Sequence, residues 1–231
     1  MLVKCISVLL VFFIFAFTTN RMGNKTAPND NKQIRYVALG DSYTICEGAD
    51  WEESWPVILT EKLSNAGISI QLIANPSRTG WTTQDLIDKE LLIFDSSYPT
   101  FATLLIGVND WVQGVSEEVF HKNLNFIIEH VQNKLKDKNK LVLITIPDFS
   151  ATPEGPKYAR GRNIGEGITA FNKIIQDEAK KRNLKCVDIF PISQEMNGKP
   201  DLVAKDGLHP SAKEYAIWEK LIYPAAYEIL K

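Results

Sequence analysis

The chain carries no surplus of basic charge: 26 lysines and arginines stand against 28 acidic residues, a formal net charge of −2. It has no basic stripe and no long run of one sign, so the electrostatic footprint of a nucleic-acid binder is missing. Cysteine is scarce, with Cys5, Cys46 and Cys186 the only three, which excludes a scaffold built on disulfides. Cys46 and Cys186 read as two separate buried thiols, not as a pair. Long hydrophobic runs are short as well. The apolar run Cys5–Phe17 spans 13 residues, below the roughly 20 that a membrane helix needs.

That run has the length of a signal-peptide core. Ala16 and Thr18 make only a poor small-x-small cleavage site, so residues 1–19 read as a signal peptide or an N-terminal anchor. Cys5 precedes the apolar run and does not read as a lipoprotein cysteine. Either reading predicts export to the periplasm or exterior, or anchoring at the membrane by the N-terminus. Residues 20–33 (NRMGNKTAPNDNKQ) are polar and aperiodic and read as a flexible linker. Residues 34–231 are then one domain, and with 45% hydrophobic residues in the chain they suffice for a full core.

Within that domain short apolar runs alternate with longer amphipathic ones. Strands are expected at 34–39, 68–74, 101–106, 141–146 and 185–189, each mostly apolar, as strands covered on both faces are. Helices are expected near 53–65, 82–93, 116–136, 163–182 and 211–230. In the third, Phe120, Leu124, Ile127, Ile128, Val131 and Leu135 fall on one stripe, and Ser116 stands at its N-cap before Glu117 and Glu118. This alternation predicts an α/β fold with a five-stranded parallel sheet between helical layers, a three-layer α/β/α arrangement. Ligands in such folds sit beyond the carboxyl ends of the strands.

The loops at those ends hold the chemistry. Gly40-Asp41-Ser42 follows the first strand, Asn75–Gly80 the second, and Gly107-Val108-Asn109-Asp110 the third; Asp206-Gly207-Leu208-His209-Pro210-Ser211 precedes the last helix. A serine hydroxyl becomes a nucleophile when a histidine held by a carboxylate takes its proton. Of the three histidines, His121 and His130 lie within a helix and read as ordinary helix residues. His209 follows a glycine turn, with Asp206 three residues before it to fix its tautomer. D-x-x-H alone is a common pattern. An oxyanion also needs donors, and the N–H groups of Ser42 and Gly80 with the Asn109 amide are candidates. The G-x-S-x-G elbow of the common α/β-hydrolases is absent.

These four blocks, GDS (40–42), the glycine ending NPSRTG (75–80), GVND (107–110) and DGLHPS (206–211), occur in the order and approximate spacing of the SGNH (GDSL-type) hydrolases. From residue 34 to 231 the chain resembles small bacterial esterases of that family. The resemblance implies a flavodoxin-like fold with strand order 2-1-3-4-5. It implies Ser42 as nucleophile, His209 as base, Asp206 as its orienting acid, and an oxyanion hole of Ser42, Gly80 and Asn109. No metal and no organic cofactor is implied. Cys46 departs from the pattern, since relatives often have glycine there.

The expected function is a serine ester hydrolase acting on short-chain esters or O-acetyl carbohydrate. Lysophospholipase, thioesterase and a catalytically silent binding module on the same fold stay open as alternatives. The partner is a small-molecule, carbohydrate or lipid ester. Trp81, Asp110 and Trp111 are candidates for substrate contact, although tryptophans beside a site are more often packing. Segment 150–163 is either a flap bringing Arg160 or Arg162 to an anionic group or an ordinary solvated loop.

Overall fold

The structure, a computed structural model, describes residues 33–231. The expected leader or anchor (1–19), and all but the last residue of the expected linker (20–33), lie outside the described residues. Among the described residues no helix is long and apolar enough to cross a membrane.

Five strands, β1 (Ile34–Gly40), β2 (Ile70–Ala74), β3 (Phe101–Leu105), β4 (Leu141–Ile144) and β5 (Lys185–Val187), form one parallel sheet in the order β2-β1-β3-β4-β5. This is the order the family resemblance implies. The direction of winding reverses between β1 and β3, and the carboxyl ends of those two strands define the crevice of a doubly wound sheet. On one face α2 (Trp55–Asn65) packs against α9 (Ala212–Leu230). On the other lie α4 (Leu91–Ser96), α6 (Glu117–Lys134) and α7 (Ile164–Arg182). Burial on both faces explains the uniformly apolar strands: Tyr36, Val37, Ala38 and Leu39 of β1 have no exposed surface.

The strands stop where side chains take over the backbone pairing. After β4, Asn172 of α7 brackets Ile146, accepting from its N–H at 2.7 Å and donating to its carbonyl at 2.8 Å. After β5, Thr145 Oγ1 accepts the Ile189 N–H at 2.9 Å, just ahead of α8 (Phe190–Ser193). Hence the runs expected to extend to 146 and 189 are shorter as strands. The helix expected at 82–93 is broken into α3 (Thr83–Asp85), a π-helical turn (Leu86–Glu90) and α4. In that turn the buried Glu90 carboxylate accepts the Gly40 N–H at 3.0 Å, a bond that local periodicity does not disclose. The Ser116 cap is as expected, its hydroxyl accepting from the Val119 N–H at 3.3 Å.

Candidate active site

Strand β1 ends in α1 (Ser42–Ile45), a single turn. Asp41 caps it, its Oδ1 accepting the Tyr43 N–H at 3.0 Å. Asp41 is fully buried, and that burial pushes its carboxyl up to about 8 against the lowering effect of this bond. Gly40 precedes it because no Cβ fits: a methyl there would sit 2.1 Å from the Leu105 carbonyl oxygen. Ser42 is thereby set at the edge of the sheet, 4% exposed. No hydrogen bond engages its hydroxyl among the described residues, and its backbone N–H heads the α1 turn.

His209 reaches the same edge from the loop before α9. Its ring Nδ1 lies 2.6 Å from Asp206 Oδ2, and its backbone N–H donates to Asp206 Oδ1 at 3.0 Å. Leu208 donates its N–H to the same oxygen at 2.9 Å. Partial burial works to raise the Asp206 carboxyl, but the bonds from the His209 ring and these two N–H groups outweigh it and hold it below its ordinary value. The ring, on a residue 7% exposed, meets the edge of Tyr43, the neighbour of Ser42, with centroids 5.9 Å apart. The loop is locked from outside by the Ala204 N–H bond to the His209 carbonyl at 2.8 Å and by the Glu154 N–H bond to the Gly207 carbonyl at 2.9 Å.

The second and third blocks follow β2 and β3. Gly80 has φ +82, and the space its Cβ would occupy is open. Asn109 opens α5 (Val108–Gln113) at its second residue, and its amide donates to the Trp81 carbonyl at 3.0 Å. An amide carries two N–H bonds, so one orients the group while the second stays free for a ligand.

The remaining expected residues divide. Trp81 lines a cavity beside the site. Asp110 and Trp111 do not face a ligand here, which corrects the expectation for both. Asp110 is 1% exposed, and its two oxygens take the N–H of Thr83, at 2.8 Å, and the Thr83 hydroxyl. Burial, against those bonds, holds its carboxyl above the ordinary range. Trp111 is 5% exposed, its ring packed edge-on to Phe149. The Arg162 guanidinium lies over that ring at 3.9 Å from the centroid and donates to the Trp111 carbonyl at 2.6 Å and that of Val112 at 3.1 Å. Arg162 is thus pinned, and segment 150–163 is tied down at Arg162 and Glu154.

His121 and His130 are helix-surface partners of Glu178, at 3.0 Å, and Asp95, at 2.9 Å, well apart from the site. Cys46 and Cys186 are both free. Cys46 is buried at φ +63, a left-handed conformation that glycine adopts without strain. Its thiol donates to the Tyr43 and Thr44 carbonyls at 3.6 Å. The glycine-like position foreseen at this residue is therefore a backbone requirement of the turn after α1.

Glu47 was not foreseen. One of its carboxylate oxygens, one from Asp206 and a ring nitrogen of His209 all lie within 4.8 Å of one another. The Thr79 hydroxyl bonds the Glu47 carboxylate, and Tyr215 OH donates to its carbonyl at 2.9 Å. Five residues after the serine, in a loop with no pattern, it carried no signal in the sequence. Among the described residues these three side chains are the one set with metal-ligand chemistry. A metal held there would occupy the imidazole lone pair.

A histidine clasped by a carboxylate and packed on Tyr43, the neighbour of a sheet-edge serine, has the partner that a general base of acyl transfer requires. The model of the GDSL-like Lipase/Acylhydrolase family matches residues 38–217. The chain belongs to that family and is by class a carboxylic ester hydrolase. Among similar proteins are an arylesterase of Vibrio mimicus, 23% identical over 76% of this chain and 80% of that one. Esterase TesA of Pseudomonas aeruginosa is 22% identical over 76% of this chain and 79% of its own. The acetylxylan esterase Axe2 of Geobacillus stearothermophilus shares the fold, with a TM-score of 0.65 and 18% identity over 84% of this chain and 94% of that one.

Proposed function

We propose that the chain hydrolyses esters through an acyl-serine intermediate on Ser42, with His209 as base and Asp206 as its orienting acid. The bond between Asp206 and the His209 ring, 2.6 Å, is the observation that carries this reading. His209 Nε2 takes the Ser42 proton as Oγ attacks the ester carbonyl. The carbonyl oxygen becomes an oxyanion held by the N–H groups of Ser42 and Gly80 and the free N–H of Asn109. The imidazolium returns its proton to the leaving alcohol, and water repeats the cycle on the acyl-enzyme.

O-acetylated carbohydrate suits the groove lined by Trp51 and Trp81, and an acetylxylan esterase is among the neighbours by fold. The apolar N-terminal run favours such a substrate outside the cytoplasm. Hydrolysis of p-nitrophenyl acetate, butyrate and octanoate by the full chain, beside its Ser42→Ala variant, tests the reading. Turnover declining with chain length and abolished in the variant is expected; undiminished turnover in the variant refutes it.

A further inference from the structure

A groove of about 1120 Å³ opens between the turn after α1 and the loop after β2. That exceeds the roughly 300–1,000 Å³ typical of a drug-sized ligand and is far larger than any acetyl group needs. Glu47 and Thr79 are part of its wall, and Glu47 also lies beside the Asp206–His209 pair. Trp81 lines it with its side chain while its carbonyl holds the Asn109 amide.

Position says which half of an ester the groove receives. The departing alcohol takes its proton from His209, so it leaves on the histidine side, where Glu47 stands.

Wall chemistry says what kind of alcohol. Trp51, 48% exposed, and Trp81 offer two aromatic faces. Arg78 and Lys89 approach the Trp81 ring at 5.8 and 4.9 Å, Lys89 being paired with Asp85 at 2.6 Å. Arg78 makes no ion pair among the described residues. A sugar ring presents a C–H face that packs on an aromatic ring and a rim of hydroxyls for charged groups. A lipid chain would cover the Arg78 guanidinium, which has no ion pair among the described residues.

We propose, on the footing of the serine hydrolase reading, that this groove is the leaving-group subsite for an O-acylated oligosaccharide. Trp51 and Trp81 are its stacking platforms, and Arg78 and Glu47 meet the hydroxyls. Trp51 and Arg78 touch neither the triad nor the oxyanion donors, so they separate the groove from the chemistry.

The test compares the full chain with Trp51→Ala and Arg78→Ala on ethyl acetate, ethyl octanoate and a partly acetylated cellohexaose that keeps free hydroxyls. Both variants are expected to keep kcat/KM on ethyl acetate, whose leaving alcohol is too small to span the groove, within about threefold. On the acetylated cellohexaose, kcat/KM is expected to fall about tenfold or more, chiefly through KM, the effect of about 1.4 kcal/mol of lost binding. Equal losses on all three esters, no loss on any, a loss confined to the octanoate, or failure of the wild-type chain to cleave the acetylated cellohexaose while cleaving ethyl acetate each overturn it. Calorimetric binding of cellohexaose to the Ser42→Ala protein reads the subsite without turnover. Binding weakened by Trp51→Ala supports the groove even if the serine mechanism fails, and absence of binding overturns it.

Discussion

One carboxylate holds His209 at two points: Asp206 Oδ2 meets the ring Nδ1 at 2.6 Å, and Oδ1 accepts the backbone N–H at 3.0 Å. An asparagine can keep the second bond, but an amide N–H turned to the ring would favour the wrong tautomer. Asp206→Asn is expected to fold normally and to lose on the order of 10³–10⁴ in kcat. Steady-state kinetics beside a thermal melt checks this, and a loss below tenfold speaks against Asp206 as the orienting acid.

In the proposed reaction Asn109 supplies a donor whose bond strengthens as charge develops on the substrate. Asn109→Ala is expected to lower kcat by roughly 10²–10³-fold with little change in KM. A rise in KM at constant kcat would assign the amide to ground-state binding instead.

Gly48 sits at φ +94 under the histidine loop, and a Cβ there would lie 2.5 Å from that of Ala204 and 3.5 Å from that of His209. Gly48→Ala is expected to cost about 1–3 kcal/mol of stability through strain and overpacking. Because Ala204 holds the His209 carbonyl, kcat should fall at least about tenfold as well. Urea unfolding and turnover together check it; wild-type values in both would show that the loop is not so confined.

The raised carboxyl of Asp41 sets a pH dependence of stability. The unfolded chain ionises it from the ordinary value of 3.8, whereas the folded chain keeps the proton to about 8. Below pH 4 both states are protonated and the full contribution is present. As pH rises toward 8 the folded state loses ground, by up to about 1.4 kcal/mol per unit. Asp41→Asn removes that slope, so its stability relative to wild type is expected to improve by at least about 1 kcal/mol between pH 5 and pH 8. Urea midpoints at the two pH values give the difference, and a constant offset would contradict it.

What the sequence disclosed follows from which forces are local. The strands were legible because both faces of the sheet are covered, making each run apolar from end to end, as Tyr36–Leu39 and Leu141–Ile144 show. The helices α6, α7 and α9 were legible from one-sided stripes and caps such as Ser116. That Ser42, Gly80 and Asn109 follow β1, β2 and β3 was legible from the alternation of apolar runs and loops, and the Asp206–His209 pair from its D-x-x-H spacing. Features made by distant partners were not. Glu90 breaks its helix to reach Gly40, fifty residues away, and Trp111 is buried by Phe149 and Arg162. Glu47 gains its place only once the loop of His209 has folded over it.

The most direct measurement is the site of covalent capture. The full chain is treated with a fluorophosphonate, which phosphonylates an activated serine, and digested for peptide mass mapping. A single adduct on Ser42, blocking ester hydrolysis and missing from the His209→Ala variant, is the predicted result. An adduct on another residue, or an active enzyme that remains unlabelled at Ser42, would contradict the account.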